Sequence, residues 1–104
     1  MSNRRRLPDR RPCMTFELEC NGQKYLATVA PFWDGTLGEI FLNSVKLGSA
    51  IDTAARDSAI VCSIALQHGA DIDTIRRALC RDARGQPSGP LGVALDLLAR
   101  EHAS

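Results

Sequence analysis

The residues best suited to chemistry lie in a short turn that precedes an apolar segment. Lys46, Gly48 and Ser49 place an ammonium group, a flexible backbone and a hydroxyl group at the predicted start of a helix. Backbone amides at a helix N-terminus bind anions such as phosphate. The turn lacks the spacing of a full phosphate loop, and the same residues can simply turn the chain and cap the helix. We favour capping and keep phosphate or nucleotide binding as a hypothesis.

A second basic region is the N-terminal segment, residues 1–12. It holds five of the 13 basic residues against the single acid Asp9, so it carries +4 and leaves about −3 for the rest of the chain. We predict a flexible arginine-rich arm that is mainly solvated, with contact to a polyanion or an acidic protein surface as the alternative. The arginines in question are Arg4, Arg5, Arg6, Arg10 and Arg11.

A glycine- and proline-rich stretch over residues 85–92 also leads into a predicted helix, with Arg84 close by. Such a loop could close over a ligand, but glycine and proline at this density mainly produce turns. We therefore predict a mobile connector.

DNA binding is an alternative function, based on the spacing of Ala65, Gly69 and Ile75, which is typical of helix-turn-helix proteins. The arm would then grip phosphates. The second helix would expose three arginines, Arg76, Arg77 and Arg81. Against this, the chain outside the arm is net acidic, which disfavours a broad DNA footprint.

The cysteines give no sign of a metal site or a disulfide framework. They are Cys13, Cys20, Cys62 and Cys80. They contain no Cys-x-x-Cys pair, and neither histidine stands at a recognised ligand spacing from them. Cys62 lies in an apolar segment, so we predict a buried, unreactive thiol. No catalytic residue, metal or cofactor is predicted.

Alternating apolar and polar residues from Thr15 to Cys20 predict a half-buried strand. Asn21-Gly22 accepts the positive backbone angles of a tight hairpin, so a second strand should follow over roughly 24–30. After a break at residues 31–35, a third short strand is predicted over roughly 38–43. Together they predict a three-stranded antiparallel meander.

Three helices are predicted after the strands. Ser49 should cap the first and Gly69 should end it. Apolar residues cover almost all sides of its second half, so we expect a buried central helix. The second helix should start at Asp71 or Asp73, and Pro90 should open the third. The fold class is α+β, in the order β-β-β-α-α-α, with the sheet on one side of the central helix.

At 104 residues, the chain is long enough for one domain that buries roughly two thirds of its unfolded surface. The basic start leads into Pro8-Asp9-Arg10-Arg11-Pro12 rather than an apolar run, and no stretch approaches membrane-spanning length. We expect a cytoplasmic protein without membrane contact.

Several short motifs follow one another in a specific order. They are Arg5-Arg6-Leu7-Pro8-Asp9-Arg10-Arg11, the Asn-Gly hairpin, Asp34-Gly35-x-x-Gly38-Glu39-Ile40-Phe41, Lys46-x-Gly48 and Ser63-x-Ala65-Leu66-Gln67-x-Gly69. This order resembles the C-terminal region of adenosylcobalamin-dependent (class II) ribonucleotide reductases, known as the TSCPD domain. The resemblance runs from the arm to Leu98 and covers nearly the whole chain.

The resemblance implies one TSCPD-like domain over residues 13–104. In that family the radical cysteine, the reducing thiols and the cobalamin contacts lie in the preceding barrel, so none is implied here. The family can also continue into a cysteine-rich tail that looks like a zinc site, whereas this chain stops at Ser104. We expect a stand-alone regulatory or assembly module of deoxyribonucleotide synthesis, inactive alone, with a reductase catalytic subunit as partner and self-association left open.

Overall fold

A computed structural model describes residues 13–32, 34–46 and 49–103, with side chains up to residue 100. The predicted arm, residues 1–12, lies outside the described residues. The elements are β1 (Met14–Cys20), β2 (Gln23–Pro31), β3 (Leu37–Ser44), α1 (Ala50–Gln67), α2 (Ile72–Ala78) and α3 (Pro90–Ala103). This confirms the predicted α+β order. No helix within the described ranges is both long and apolar enough to span a membrane.

The three strands form one antiparallel sheet in the order β1-β2-β3. The β1–β2 hairpin turns at Asn21 and Gly22, whose φ angles of 53° and 78° lie in the left-handed region that this pair tolerates. Ala27 of β2 stands opposite Leu42 of β3, and both side chains are buried on the same face. The predicted meander is therefore confirmed.

The core lies between this face of the sheet and the helices. Its side chains are Leu18, Cys20, Tyr25, Ala27, Val29, Ile40 and Leu42 from the strands, Ala55, Ala59, Cys62 and Leu66 from α1, and Leu91, Ala94, Leu95 and Leu98 from α3. Half-buried Ile72, Ile75 and Leu79 pack against it from α2 and its C-terminal end. The two longer helices thus bury the apolar positions that helical spacing selects.

Polar side chains of α1 bind the outer edge of β3. Ser63 Oγ accepts a hydrogen bond from the Ile40 N–H and donates one to the Ile40 carbonyl, both at 2.8 Å. Asp52 Oδ1 accepts the Ser44 N–H at 2.9 Å. The edge of a sheet normally presents unpaired backbone groups, and here a helix supplies the partners.

The length of α1 matches the strand that it covers. Gln67 Nε2 donates to the Gly38 carbonyl at 3.1 Å, at the far end of β3 from Ser44. From Asp52 to Gln67 the helix rises about 22 Å, and β3 extends about 20 Å over the matching residues. Buried Ala59 lies between these contacts, and its small side chain allows close approach. We call this contact, made by Asp52, Ser63 and Gln67 with Gly38, Ile40 and Ser44, the α1–β3 seam.

The outer side of α1 is not covered. Ile60, Val61 and Ile64 are 46%, 66% and 44% exposed. The predicted buried central helix is therefore buried only on the side that faces the sheet and the core. Because α1 runs along the edge of the sheet, one side contacts the sheet and core, and no described element packs over the other.

Candidate functional site

The turn before α1 has the geometry of a helix cap. Ser49 Oγ accepts the Asp52 N–H at 3.1 Å and donates to the Lys46 carbonyl at 3.0 Å. The capping role of Ser49 is confirmed. Lys46 is exposed, whereas Gly48 lies outside the described residues. Phosphate binding at Lys46, Gly48 and Ser49 stays a prediction.

The charge around this turn is mixed. The Asp52 side chain is almost fully buried beneath the turn, and its Oδ2 lies 3.8 Å from Arg56 Nη1. An anion at the turn would therefore meet the positive charges of Lys46 and Arg56 together with a buried carboxylate. Because the Asp52 carboxylate would repel an anion bound there, the turn is not a purely positive site.

A second polar cluster joins α2 to α3. Arg81 binds Asp96 in a bidentate manner, Nη1 to Oδ2 and Nη2 to Oδ1, both at 2.9 Å. Arg76 Nε donates to Asp96 Oδ1 at 3.0 Å, and Arg76 Nη1 reaches Asp73 Oδ1 at 2.9 Å. We call Arg76, Arg81 and Asp96 the arginine–aspartate cluster.

The cluster lowers the pKa of Asp96 to about 2, mainly through the hydrogen bonds from Arg81 and further through those from Arg76, against an opposing effect of burial. The side chains of both arginines are only about a quarter exposed. The expectation that Arg76 and Arg81 are exposed, as a DNA-reading helix would need, is therefore wrong. Arg77 is exposed as predicted.

The loop between α2 and α3 supports this cluster. Asp82 Oδ1 accepts the backbone N–H groups of Arg84 and Gln86 at 2.9 and 3.0 Å, and the Asp82 N–H donates to the Gln86 carbonyl at 2.9 Å. The Gly85 carbonyl accepts Arg81 Nη1 at 3.0 Å. The start of the stretch predicted as a mobile connector thus forms a hydrogen-bonded turn beside the Arg81 guanidinium group; the mobility of the stretch stays a prediction.

An open groove of about 1140 Å³ lies beside the cluster. Its charged lining residues are Asp34, Asp73, Arg76, Asp96 and Arg100. Its apolar lining includes Val29, Leu37, Ile72 and Leu98. Apolar walls with a few convergent polar groups are typical of ligand sites. The groove is therefore a candidate ligand site, with the arginine–aspartate cluster at its border.

The thiols differ in exposure. Cys62 is buried, and burial raises its pKa to about 11; burial also raises the pKa of Cys20. Cys13 and Cys80 are exposed. The buried position of Cys62 is confirmed. Across the part of the chain that the structure describes, no three His, Cys, Asp or Glu side chains are grouped closely enough to hold a metal ion.

Asp96, Ser63 and Gln67 are absent from the sequence-predicted site residues, although each has a structural partner. A signal existed for two of them. Ser63 and Gln67 stand four residues apart in an otherwise apolar stretch, and polar side chains at that spacing share one side of a helix. For Asp96, a lone carboxylate among the leucines of α3 was the only local hint.

Several known proteins are similar to this chain. It is 34% identical over 91 residues to the vitamin B12-dependent ribonucleotide reductase of Bradyrhizobium diazoefficiens. This match covers 88% of this chain and 7% of that protein. It is 34% identical over 70 residues to the enzyme of the same name from Agrobacterium fabrum, covering 67% of this chain and 6% of that protein. It is 33% identical over 72 residues to the enzyme of the same name from Rhodopirellula baltica, a match that covers 69% of this chain and 7% of that protein. The chain is related to a region of vitamin B12-dependent ribonucleotide reductases.

This relationship concerns a small region only, because the chain spans 6% to 7% of the length of these three relatives. No protein-family model matches the chain, and no solved structure matches it. The predicted resemblance is thus confirmed for a reductase-related region, and the TSCPD assignment stays a prediction.

Proposed function

We propose that this chain is an accessory module that binds the catalytic subunit of a vitamin B12-dependent ribonucleotide reductase and regulates or assembles it. The observation that carries the proposal is the 91-residue similarity to the Bradyrhizobium diazoefficiens enzyme, which covers 88% of this chain. A match of this length is long enough to include the sheet and all three helices. A protein related to one region of a larger enzyme is suited to contact the surfaces that this region contacts there.

We also propose that the chain does not reduce ribonucleotides by itself and acts in the cytoplasm. The resemblance to class II reductases implies that the radical and reducing thiols lie in the barrel that precedes the TSCPD region. In this chain, burial raises the pKa of Cys20 and Cys62, which opposes formation of the reactive thiolate. Cys20 and Cys62 are therefore better suited to packing in the core than to redox chemistry.

The test measures binding and turnover with the Bradyrhizobium diazoefficiens reductase, in its intact form and in a form without the 91-residue region that resembles this chain. We expect the chain to bind the shortened enzyme with a dissociation constant on the order of 10 μM or lower, to bind the intact enzyme more weakly, and to change the turnover of the shortened enzyme at least twofold. The intact enzyme is the control, because its own region competes.

Two results would refute the proposal. One is the absence of binding to either form of the reductase together with unchanged turnover. The other is reduction of a ribonucleotide by the purified chain alone, lost when one of its own cysteines is replaced. The first rejects the accessory role, and the second rejects the absence of intrinsic catalysis.

Two anion-binding roles remain proposals beside this one. A small-nucleotide site at Lys46, Gly48 and Ser49 is supported by the exposed lysine in the turn before α1. A nucleotide-dependent thermal shift that is lost in Lys46→Ala would support it, and equal shifts in both proteins would leave only the capping role. Polyanion binding by the arm is the other. DNA reading by α2 loses support because Asp96 engages Arg76 and Arg81.

A further inference from the structure

The side of α1 that faces away from β3 carries a continuous apolar stripe. Ile60, Val61 and Ile64 are exposed there. Ile64 follows Val61 by three residues and Ile60 by four, so its side chain lies next to both on the helix surface. Asp57 stands one turn before this group and His68 one turn after it, and both are exposed. We call these five residues the outer stripe.

Exposed apolar side chains are common one at a time, but adjacent ones mark surfaces that bind a partner. The seam fixes the opposite side of the same helix to β3 through buried Ser63 and Gln67. The helix cannot turn the outer stripe inward without breaking these bonds. The stripe is therefore a fixed, solvent-facing feature of the fold.

The two ends of the outer stripe are chemically complementary. Asp57 offers a carboxylate and His68 an imidazole group, and no salt bridge of either side chain occurs within the described ranges. If two copies of α1 pack in opposite directions with Val61 facing Ile64 of the second copy, Asp57 faces His68 of that copy. The reason is that Asp57 precedes Val61 by four residues and His68 follows Ile64 by four.

We propose that the chain self-associates through the outer stripe, as an antiparallel α1–α1 pair related by a two-fold axis. Such an interface uses the same surface patch on both copies. A parallel pair would place Asp57 beside Asp57 and His68 beside His68, which forfeits the complementary contacts. The opposite chemistry of the two ends is therefore what selects a second copy of this chain as the occupant.

The association should be weak. An 18-residue helix is about 27 Å long, and one helix pair buries less than the roughly 1,200–2,000 Å² of a typical stable interface. We therefore expect a concentration-dependent dimer with a dissociation constant in the micromolar range or above.

Sedimentation equilibrium on the purified chain, from about 1 μM to about 1 mM, tests the proposal. We expect the mass to rise towards that of a dimer for the parent. Val61→Glu should raise the dissociation constant at least tenfold, because a carboxylate would be buried against the second copy. The matched control is Phe41→Glu, since Phe41 is exposed on the opposite face of the sheet; it should associate like the parent.

A parent that stays monomeric at about 1 mM would overturn the proposal, as would a Val61→Glu variant that dimerises like the parent. If the parent does not self-associate but binds the reductase through the outer stripe, the stripe belongs to that interface. This result would likewise overturn the proposal. The self-association measurements use the chain alone, so failure here leaves the proposed reductase role standing.

Cysteine cross-linking tests the direction of the helices. In a Cys13→Ser, Cys80→Ser background, which removes the exposed thiols, the Asp57→Cys and His68→Cys proteins are mixed and oxidised. The antiparallel pair predicts a disulfide between the two different proteins and little product from Asp57→Cys alone. Efficient cross-linking of Asp57→Cys with itself, without the mixed product, would overturn the arrangement.

Discussion

The α1–β3 seam and the arginine–aspartate cluster both join a helix to its neighbour through polar side chains, but their partners differ. In the seam, Ser63 is 6% exposed and satisfies the backbone N–H and carbonyl of Ile40. In the cluster, Arg76 and Arg81 are about a quarter exposed and bind the side chain of Asp96. One contact completes the edge of a sheet, whereas the other sets the position of two charged side chains beside a groove.

This difference determines what each contact contributes. A buried backbone group that loses its partner cannot turn to water, so the loss costs about 1–3 kcal/mol. Arginine side chains that retain contact with solvent recover hydration when an ion pair is removed, and such pairs contribute about 1 kcal/mol or less. We infer that the seam stabilises the fold and that the cluster mainly orients α2 against α3.

The largest effect is expected for Ser63→Ala, which leaves both the N–H and the carbonyl of Ile40 without their present partner. We expect a loss of about 2 kcal/mol in the free energy of unfolding, measured by urea denaturation at low protein concentration. The control is Ser58→Ala, because Ser58 Oγ donates at 2.8 Å to Ala55 within the same helix and stays half-buried. Equal losses in the two variants would contradict the special role of the seam.

A smaller effect is expected for Asp96→Asn, about 1 kcal/mol at pH 7, since the arginines of the cluster remain in contact with water. The folded-state pKa of Asp96 is about 2, below its ordinary value of 3.8. The carboxylate therefore stabilises the fold fully above about pH 4, and this contribution is lost as the pH falls towards about 2. The difference in unfolding free energy between parent and variant should shrink over that range.

The control for this prediction is Asp73→Asn, because Asp73 is well exposed and contacts only Arg76 of the cluster. Its effect on the free energy of unfolding should stay within about 0.5 kcal/mol. A parent–variant difference for Asp96→Asn that persists unchanged at pH 2 would contradict an ionic origin of the contribution.

Local patterns predicted the parts of the fold that local chemistry determines. The β1–β2 hairpin follows from alternation and from Asn21-Gly22, and the ends of α1 follow from Ser49 and from Gly69, whose φ is 97°. The position of α1 could not be read in this way. An apolar surface nearly all round predicted a buried central helix, and the sequence did not show which side would be covered. In the structure, Ser63 and Gln67 direct one side to a strand edge, and the other side is exposed.

The candidate site was less predictable because its contacts are distant along the chain. Arg76 and Arg81 follow the pattern of exposed positions on a short helix, so local spacing predicted that both arginine side chains are exposed to solvent. Their partner Asp96 is 20 and 15 residues away and reaches them only because the intervening loop folds back. Helical periodicity carries no information on such a contact.

The smallest effect on stability is expected from deleting residues 1–11, whose arginines contrast with those of the cluster. The deleted segment is polar and charged, and β1 begins only at Met14. The melting temperature should therefore change by less than about 2 °C. Binding to heparin should weaken and become less dependent on salt, because up to five arginine charges would no longer displace counterions.

The Arg76→Ala and Arg77→Ala variants distinguish the contribution of the arm to heparin binding from that of the arginines of α2. Asp96 and Asp73 already neutralise Arg76, so its removal should leave the salt dependence of heparin binding unchanged. Loss of the exposed Arg77 removes one charge and should reduce the salt dependence only slightly. A fall in melting temperature of more than about 5 °C on deleting the arm would show that it packs on the domain or on a second copy. The arm would then contribute to the fold as the seam does, and its arginines could not be treated as free charges.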